Sequence, residues 1–337
     1  MVSMKDIAAA CGVSVATVSK AINNHSDIGE ETKALIKSKA KEMGYHPNTW
    51  ARALKTNKSY NLGVLYKEAS GSGLTHDYFS QILENFKVTA ENQGYDITFL
   101  NNSKLGNDKV SYLDHSIHRG MDGVMIAIAD YQSPEVIELL QSDLPVVTID
   151  YVYNGRISIS SDNIGGMRAL MEQVYACGHR KIAYIYGEES SVTSNRLSTY
   201  YRFLEEKGIA ANDDYVKEGR YRDSYAAGKI TEELLDLPNP PTCILYADDF
   251  SAIGGMNAIK TRGMSIPEDI SIAGYDGILM ASQLSPTLTT YWQNTVEIGK
   301  MAANELINLI ERPKSTIIKQ YTVEGKLIEG KSVAFPK

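Results

Sequence analysis

Apolar and polar positions divide the chain into two regimes. Over the first 45 residues, isolated apolar positions recur at helical spacing. Ile7 and Cys11 share one face of a helix predicted over Met4–Ala10, and Gly12-Val13-Ser14 interrupts it. A second helix is expected through Val15–Ile22, capped by Ser14. A third is expected over Glu30–Met43, with acids in its first turn, lysines later and Gly44 as its stop. From Asn61 the pattern changes to short apolar runs alternating with amphipathic helices. Strands are predicted at Leu62–Tyr66, Ile97–Leu100, Gly123–Ile128, Val146–Ile149, Ile182–Tyr186, Cys243–Tyr246 and Ile270–Gly274. Helices between them include Tyr78–Gln93, Ile164–Cys177, Arg196–Lys207, Ser224–Leu235 and Ala252–Arg262. This alternation implies parallel sheets covered on both faces. Two such series imply two subdomains with a cleft between them.

The spacing at the N-terminus carries a motif. Ala8 is small enough to let two helices approach. Gly12 supplies the positive φ of a tight turn, and Val18 locks the second helix against the first. That is a helix-turn-helix arrangement, whose second helix enters the DNA major groove. The charge agrees. The chain of 337 residues has a net charge of −7, but through Tyr60 nine Lys/Arg face five acids, a net of +4 that leaves −11 for the rest. A basic head neutralises phosphates while an acidic body stays soluble.

Composition excludes several classes. The apolar fraction, 43%, supports a core, yet no run of about 18 apolar residues exists to cross a membrane. The leading residues lack the apolar stretch of a signal peptide, so a cytoplasmic location is expected. Cys11, Cys177 and Cys243 form no paired motif and are expected to be buried, reduced thiols. No nucleophile elbow, phosphate loop, zinc-protease or dinucleotide fingerprint is present, so no catalytic residue, cofactor or metal is assigned. His115 and His118 are expected on a helix surface.

Ligands of open α/β sheets bind beyond the strand carboxyl ends. Asp150, Asp248, Asp249 and Asp276 follow predicted strands, and Arg196 is placed at the opening of a helix. Carboxylates and a guanidinium beside aromatic rings suit a neutral polyol. For Asp249, a helix N-cap is the preferred reading.

The stretches Asp6-Ile7-Ala8, Cys11-Gly12-Val13-Ser14, Thr17-Val18-Ser19, Asn23, Gly44-Tyr45-His46-Pro47-Asn48 and Ala51-Arg52-Ala53-Leu54 together resemble the LacI/GalR family of repressors, and the resemblance runs through the body. It implies an all-α helix-turn-helix headpiece (1–46), a hinge helix and linker (47–60), and a two-subdomain α/β effector domain of the type I periplasmic-binding-protein-like fold (61–337). The subdomains it implies are 61–160 with 292–320, and 161–291 with 321–337. Val15 and Ala16 would touch base edges, and Lys20 would donate to guanine where the family more often has Arg. Ser14, Thr17, Ser19 and Asn23 would meet phosphates. Asn48 would cap the hinge helix, Ala51 lies on it, and Leu54 would wedge into the minor groove.

In the body, the resemblance assigns Tyr78, Phe79, Asp150, Arg196, Tyr221, Asp248, Asp276 and Gln293 to the effector site, with Tyr221 stacking on a sugar. Asp248 is a departure, since Asn or Ser is commoner there, and the Lys67–Asp77 loop also differs from the usual Asn-Pro-Phe-Phe. The implied partners are double-stranded palindromic operator DNA, a small-molecule effector expected to be a sugar, and a second copy in a homodimer. Release from the operator by the sugar is the expected mechanism; the alternatives are a corepressor-activated regulator responding to a non-sugar metabolite and, in another class, a sugar-binding protein without a regulatory role.

Overall fold

The computed structural model describes residues 2–45, 58–68, 73–102, 104–105 and 108–336. These form two compact units, one ending at Ser59 and the other beginning at Tyr60. Asn48, Ala51 and Leu54 lie outside the described residues.

The first unit holds helices α1 (Met4–Cys11), α2 (Val15–Ile22) and α3 (Glu30–Glu42). Ser3 and Asp6 cap α1 reciprocally: the Asp6 N–H donates to Ser3 Oγ and the Ser3 N–H to the Asp6 carboxylate. Gly12 takes φ 67° and turns the chain, and Ser14 caps α2 through the Thr17 N–H. Ile7, Val18, Ala21 and Ile36 are fully buried with Ala8 and Ala40 in one small core. Ala8 and Val18 thus meet as their spacing predicts. Gly44, at φ 68°, follows the end of α3.

The second unit is two α/β lobes. The first lobe contains β1 (Asn61–Tyr66), α4 (Asp77–Asn92), β2 (Asp96–Phe99), a small hairpin of β3 (Lys104–Leu105) and β4 (Asp108–Lys109), α5 (Tyr112–His118), β5 (Gly123–Ile128), α6 (Pro134–Gln141), β6 (Val146–Ile149) and β7 (Ile157–Ser161). The chain then builds the second lobe from α7 (Asn163–Ala176), β8 (Ile182–Tyr186), α8 (Ser191–Glu206), β9 (Val216–Glu218), α9 (Ser224–Leu235), β10 (Cys243–Tyr246), α10 (Asp249–Thr261), β11 (Ser271–Asp276) and β12 (Thr289–Trp292). It returns through α11 (Thr295–Glu311) and β13 (Gln320–Val323) and ends with β14 (Lys326–Ile328).

The first sheet runs β13-β7-β6-β5-β1-β2, all parallel. The second runs β14-β12-β11-β10-β8-β9, with only β14 antiparallel. Each sheet has an apolar cluster on both faces, which explains why the strands read as continuous apolar runs.

Several expectations need correction. The third crossing between lobes follows Val323 rather than falling at 320/321, because Gln320–Val323 pairs in parallel with Ile157–Ser161 at the edge of the first sheet. Arg196 does not open its helix; α8 begins at Ser191, capped by Ser190, and Arg196 lies in its second turn. The N-cap of α10 is Asp248, not Asp249. His115 is 5% exposed, so the α5 histidines are not both on the surface. Cys243 is buried, but Cys11 and Cys177 are only partly so. Among the described residues, no helix is long and apolar enough to cross a membrane.

Candidate functional site

On α2, Ser14, Val15, Ala16 and Lys20 are exposed while Val18 and Ala21 point into the core. Val15 is an apolar side chain left 42% exposed, on the first turn of the helix. Several polar groups there already have protein partners. Ser14 Oγ and Thr17 Oγ1 are 2.8 Å apart, and Asn23 Nδ2 donates to the Ser19 carbonyl at 2.7 Å. Lys20 is ion-paired with Asp27. Both groups are about half exposed, so DNA has only a weak, solvent-screened contact to displace.

In the second unit, seven of the eight candidate residues cluster where the two lobes face each other: the charges of Asp276 and Arg196 act on both Tyr78 of the first lobe and Tyr221 of the second. Asp276 is the last residue of β11, at φ 108°, and Gln293 Nε2 donates to its Oδ1 at 2.6 Å. Arg196 is 3% exposed, and its guanidinium lies 3.5 Å from the centroid of the Tyr275 ring. Its Nε donates to Asn163 Oδ1 at 2.8 Å and its Nη1 to the Ala247 carbonyl at 2.9 Å. Nη2 makes no hydrogen bond among the described residues, so both of its N–H groups remain for a ligand. Asp150, at φ 54° just beyond β6, accepts from Tyr78 Oη at 2.6 Å and from the Ser161 N–H at 3.2 Å. Asp248 accepts from the N–H groups of Ser251 (2.8 Å) and Arg222 (2.7 Å). It therefore caps a helix and lies in the cleft at once.

Tyr221 hydrogen-bonds through its hydroxyl to Thr193 Oγ1 at 2.9 Å, and its ring lies against the backbone of Gly187, where a Cβ would overlap it. Phe79 is the residue the cleft does not claim. Buried at 8% exposure, it packs edge-on against Tyr66, His76 and Tyr78 and backs the aromatic wall from the core side.

The cleft stores charge at a cost. Burial pushes the Asp276 carboxyl up from 3.8 to about 7, with the Asp248 charge acting in the same direction and Arg196 opposing. Burial also raises Asp150, partly offset by Tyr78, and raises Asp248 against its two backbone donors. Asp249 is raised well above the usual carboxylate range by burial and by Asp276. Its carboxyl group accepts from Thr290 Oγ1 at 2.6 Å and from the Ile278 N–H at 2.9 Å, so it ties β12 to the loop that follows β11. Desolvated carboxylates in a cleft are groups that gain when a ligand supplies donors.

Some cleft residues carry no motif in the sequence. Tyr131 and Tyr151, beyond β5 and β6, stack face to face at 3.6 Å and 7°. The Tyr131 hydroxyl is buried and unpartnered, as is the Tyr184 hydroxyl near Arg196 and Asp248. Arg222, in the left-handed region at φ 61°, reaches across to the first lobe. The only sequence signal for these residues is their place just after, or within, an apolar strand.

Residues 3–48 match the family model of bacterial regulatory proteins of the lacI family, and 171–333 match a periplasmic binding protein-like domain. The chain is 30% identical over 344 residues to the HTH-type transcriptional repressor PurR of Haemophilus influenzae, covering 99% of both chains. It is 30% identical over 314 residues to the HTH-type transcriptional repressor CytR of Escherichia coli, covering 92% of this chain and 90% of that one. The fold is similar to that of the lac repressor dimer solved with operator and the anti-inducer ONPF. There the TM-score is 0.81, at 26% identity and 99% coverage of each.

Proposed function

The chain belongs to the LacI family of bacterial regulatory proteins, a DNA-binding transcriptional repressor and not an enzyme, and from that premise we propose that its effector is a small neutral carbohydrate bound between the two lobes. The observation that carries this reading is the pairing of one open donor nitrogen with several acceptors. Arg196 offers Nη2, while Asp276, Asp248 and Asp150 offer carboxylate oxygens and Gln293 an amide. Vicinal hydroxyls donate and accept at adjacent positions, and Tyr221 supplies a ring for the apolar face of a pyranose. Three carboxylates against the two guanidiniums of Arg196 and Arg222 disfavour a phosphorylated ligand.

We further infer a cytoplasmic homodimer that places one α2 in each half-site of a pseudo-palindromic operator, upstream of carbohydrate-utilisation genes. The lac repressor dimer on its operator is the support for that assembly. Val15 and Ala16 meet base edges, Lys20 meets a guanine, and Ser14, Thr17, Ser19, Asn23, Asn48 and Ala51 position the backbone around the Leu54 wedge. Ligand closure of the lobes shifts the dimer away from the DNA-competent state. The corepressor mechanism is the opposite outcome of the same titration.

The test is a thermal-shift screen of neutral sugars, sugar phosphates, purines and nucleosides on the full chain. A ligand that binds the native state raises the melting temperature by mass action. A neutral sugar should do so, and its effect should vanish in Asp276→Ala and Arg196→Ala. Stabilisation by phosphosugars or purines but not by neutral sugars would overturn the carbohydrate reading and leave the repressor intact. Operator binding with and without the ligand then separates induction from corepression.

A further inference from the structure

Arg222 leaves the second lobe just beyond β9 and makes its contacts on the first. Its Nη1 donates to Asp77 Oδ2 at 3.1 Å, and its Nη2 donates to the Thr75 carbonyl at 3.3 Å. The side chain is 13% exposed and lies over the Phe250 ring at 4.0 Å, which fixes its direction. Its backbone N–H is held by the Asp248 carboxylate at 2.7 Å. A left-handed φ of 61° is strained for an arginine and persists only where the surroundings over-determine it.

The topology gives this contact leverage. The lobes are joined through strands β7, β12 and β13. Asp77 follows β1, three places along the first sheet from β7. Arg222 follows β9, four places along the second sheet from β12. At about 4.8 Å per strand, the contact sits roughly 15–20 Å from the crossings. A lobe rotation of about 15° would part it by about 4 Å, breaking both hydrogen bonds. Another cross-lobe bond among the described residues, from Ser191 Oγ to the Asp150 carbonyl at 2.9 Å, lies one strand from β7 on the first sheet and three from β12 on the second, nearer the crossings than the Arg222 contact.

We propose that Arg222 is a positioning residue of the effector site, a latch that holds the lobes closed across the cleft mouth before any ligand arrives. Because Asp248 holds the base of the latch, the effector site and the closing device share a carboxylate. The latch rests on the reading that a ligand binds between the lobes, but it acts without one. A ligand that completes the cleft then finds part of the closing free energy already supplied.

The experiment measures lobe separation in the full-length, ligand-free protein. Spin labels at Glu138→Cys and Lys229→Cys, both exposed, report one distance per chain, with Cys11 and Cys177 replaced by Ser and labelled chains diluted among unlabelled ones. The wild-type background should give a narrow, closed distribution. Arg222→Ala should broaden it by adding a minor component about 4 Å longer, and Arg222→Lys should fall between the two. Adding Asp77→Asn to Arg222→Ala should change nothing further, since the contact is already lost. The pair should weigh the closed state by roughly threefold, as partly exposed ion pairs do. An unchanged distribution in Arg222→Ala, or an additive effect of the second substitution, would overturn the latch. No sugar enters the measurement, so failure of the carbohydrate reading leaves this result standing, and the converse also holds.

Discussion

Replacing Asp276 with Asn should flatten the pH dependence of stability. The folded carboxyl is pushed to about 7 from 3.8, mainly by burial. A proton held more tightly in the folded state makes the protein most stable below about pH 4, and that stability falls as pH rises to about 7. The gap corresponds to about 4 kcal/mol once both states are ionised, at pH 8, and to about 1.5 kcal/mol at pH 5. Asn preserves the oxygen that accepts from Gln293 Nε2 and carries no charge. Urea unfolding at pH 5 and pH 8 should therefore show Asp276→Asn gaining about 2.5 kcal/mol on the wild type between the two. Asp150 is raised by burial in both proteins and largely cancels in the difference, whereas Asp249, raised partly by the Asp276 charge, loses that part in the variant and changes in the same direction. Unfolding curves that stay parallel across this pH range would refute the account of Asp276 as a desolvated, strained carboxylate.

Lys20→Ala should leave the melting temperature of the free protein nearly unchanged, because its ion pair with Asp27 is exposed. It should relax the preference at one base pair per half-site by about 1–3 kcal/mol, read from binding to a panel of operator variants. Gly187→Ala should displace the Tyr221 ring and weaken effector binding about tenfold in calorimetry, in line with overpacking of 1–3 kcal/mol, while operator binding without ligand survives. Leu54→Ala should reduce the operator bend measured by fluorescence, since an intercalated wedge acts only in the complex.

The headpiece was legible because each constraint in it is local. Gly12 must turn, Ser14 must cap, and Val18 must reach Ala8 within a few residues. The core strands were legible for a different reason: burial on both faces leaves runs such as Gly123–Ile128 without a polar interruption. Strands at or near the sheet edges were not. Ile157–Ser161 carries three serines, Val216–Glu218 is three residues long, and Gln320–Val323 is mostly polar, so none stands out from a loop. The last of these moved the third lobe crossing. In the cleft, the carboxylates were found from their positions after strands. Arg222, Asn163 and the Tyr131–Tyr151 stack were missed because their role depends on what faces them across the chain, which no local spacing encodes.

A ligand can switch this repressor only by preferring one lobe arrangement to the other. Driving a two-state equilibrium from one part in a hundred to ninety-nine requires about 5.5 kcal/mol of such preference. For an effector seated between the lobes, that preference has to come from contacts to the first-lobe wall, Asp150 and Tyr78, because only those depend on closure. Hydrogen bonds to charged groups contribute about 1.5–3 kcal/mol each. Asp276, Asp248 and the open Nη2 of Arg196 offer three, contributed by the second lobe, while Asp150 and Tyr78 come from the first. A ligand reaching only the second lobe binds both arrangements alike and shifts nothing. One that also touches Asp150 or displaces the Tyr78 hydroxyl from it gains only on closure. The switching power of an effector should therefore track its contacts to the first-lobe wall rather than its overall affinity. An analogue that lacks the hydroxyl facing Asp150 should still bind, yet leave operator affinity unchanged.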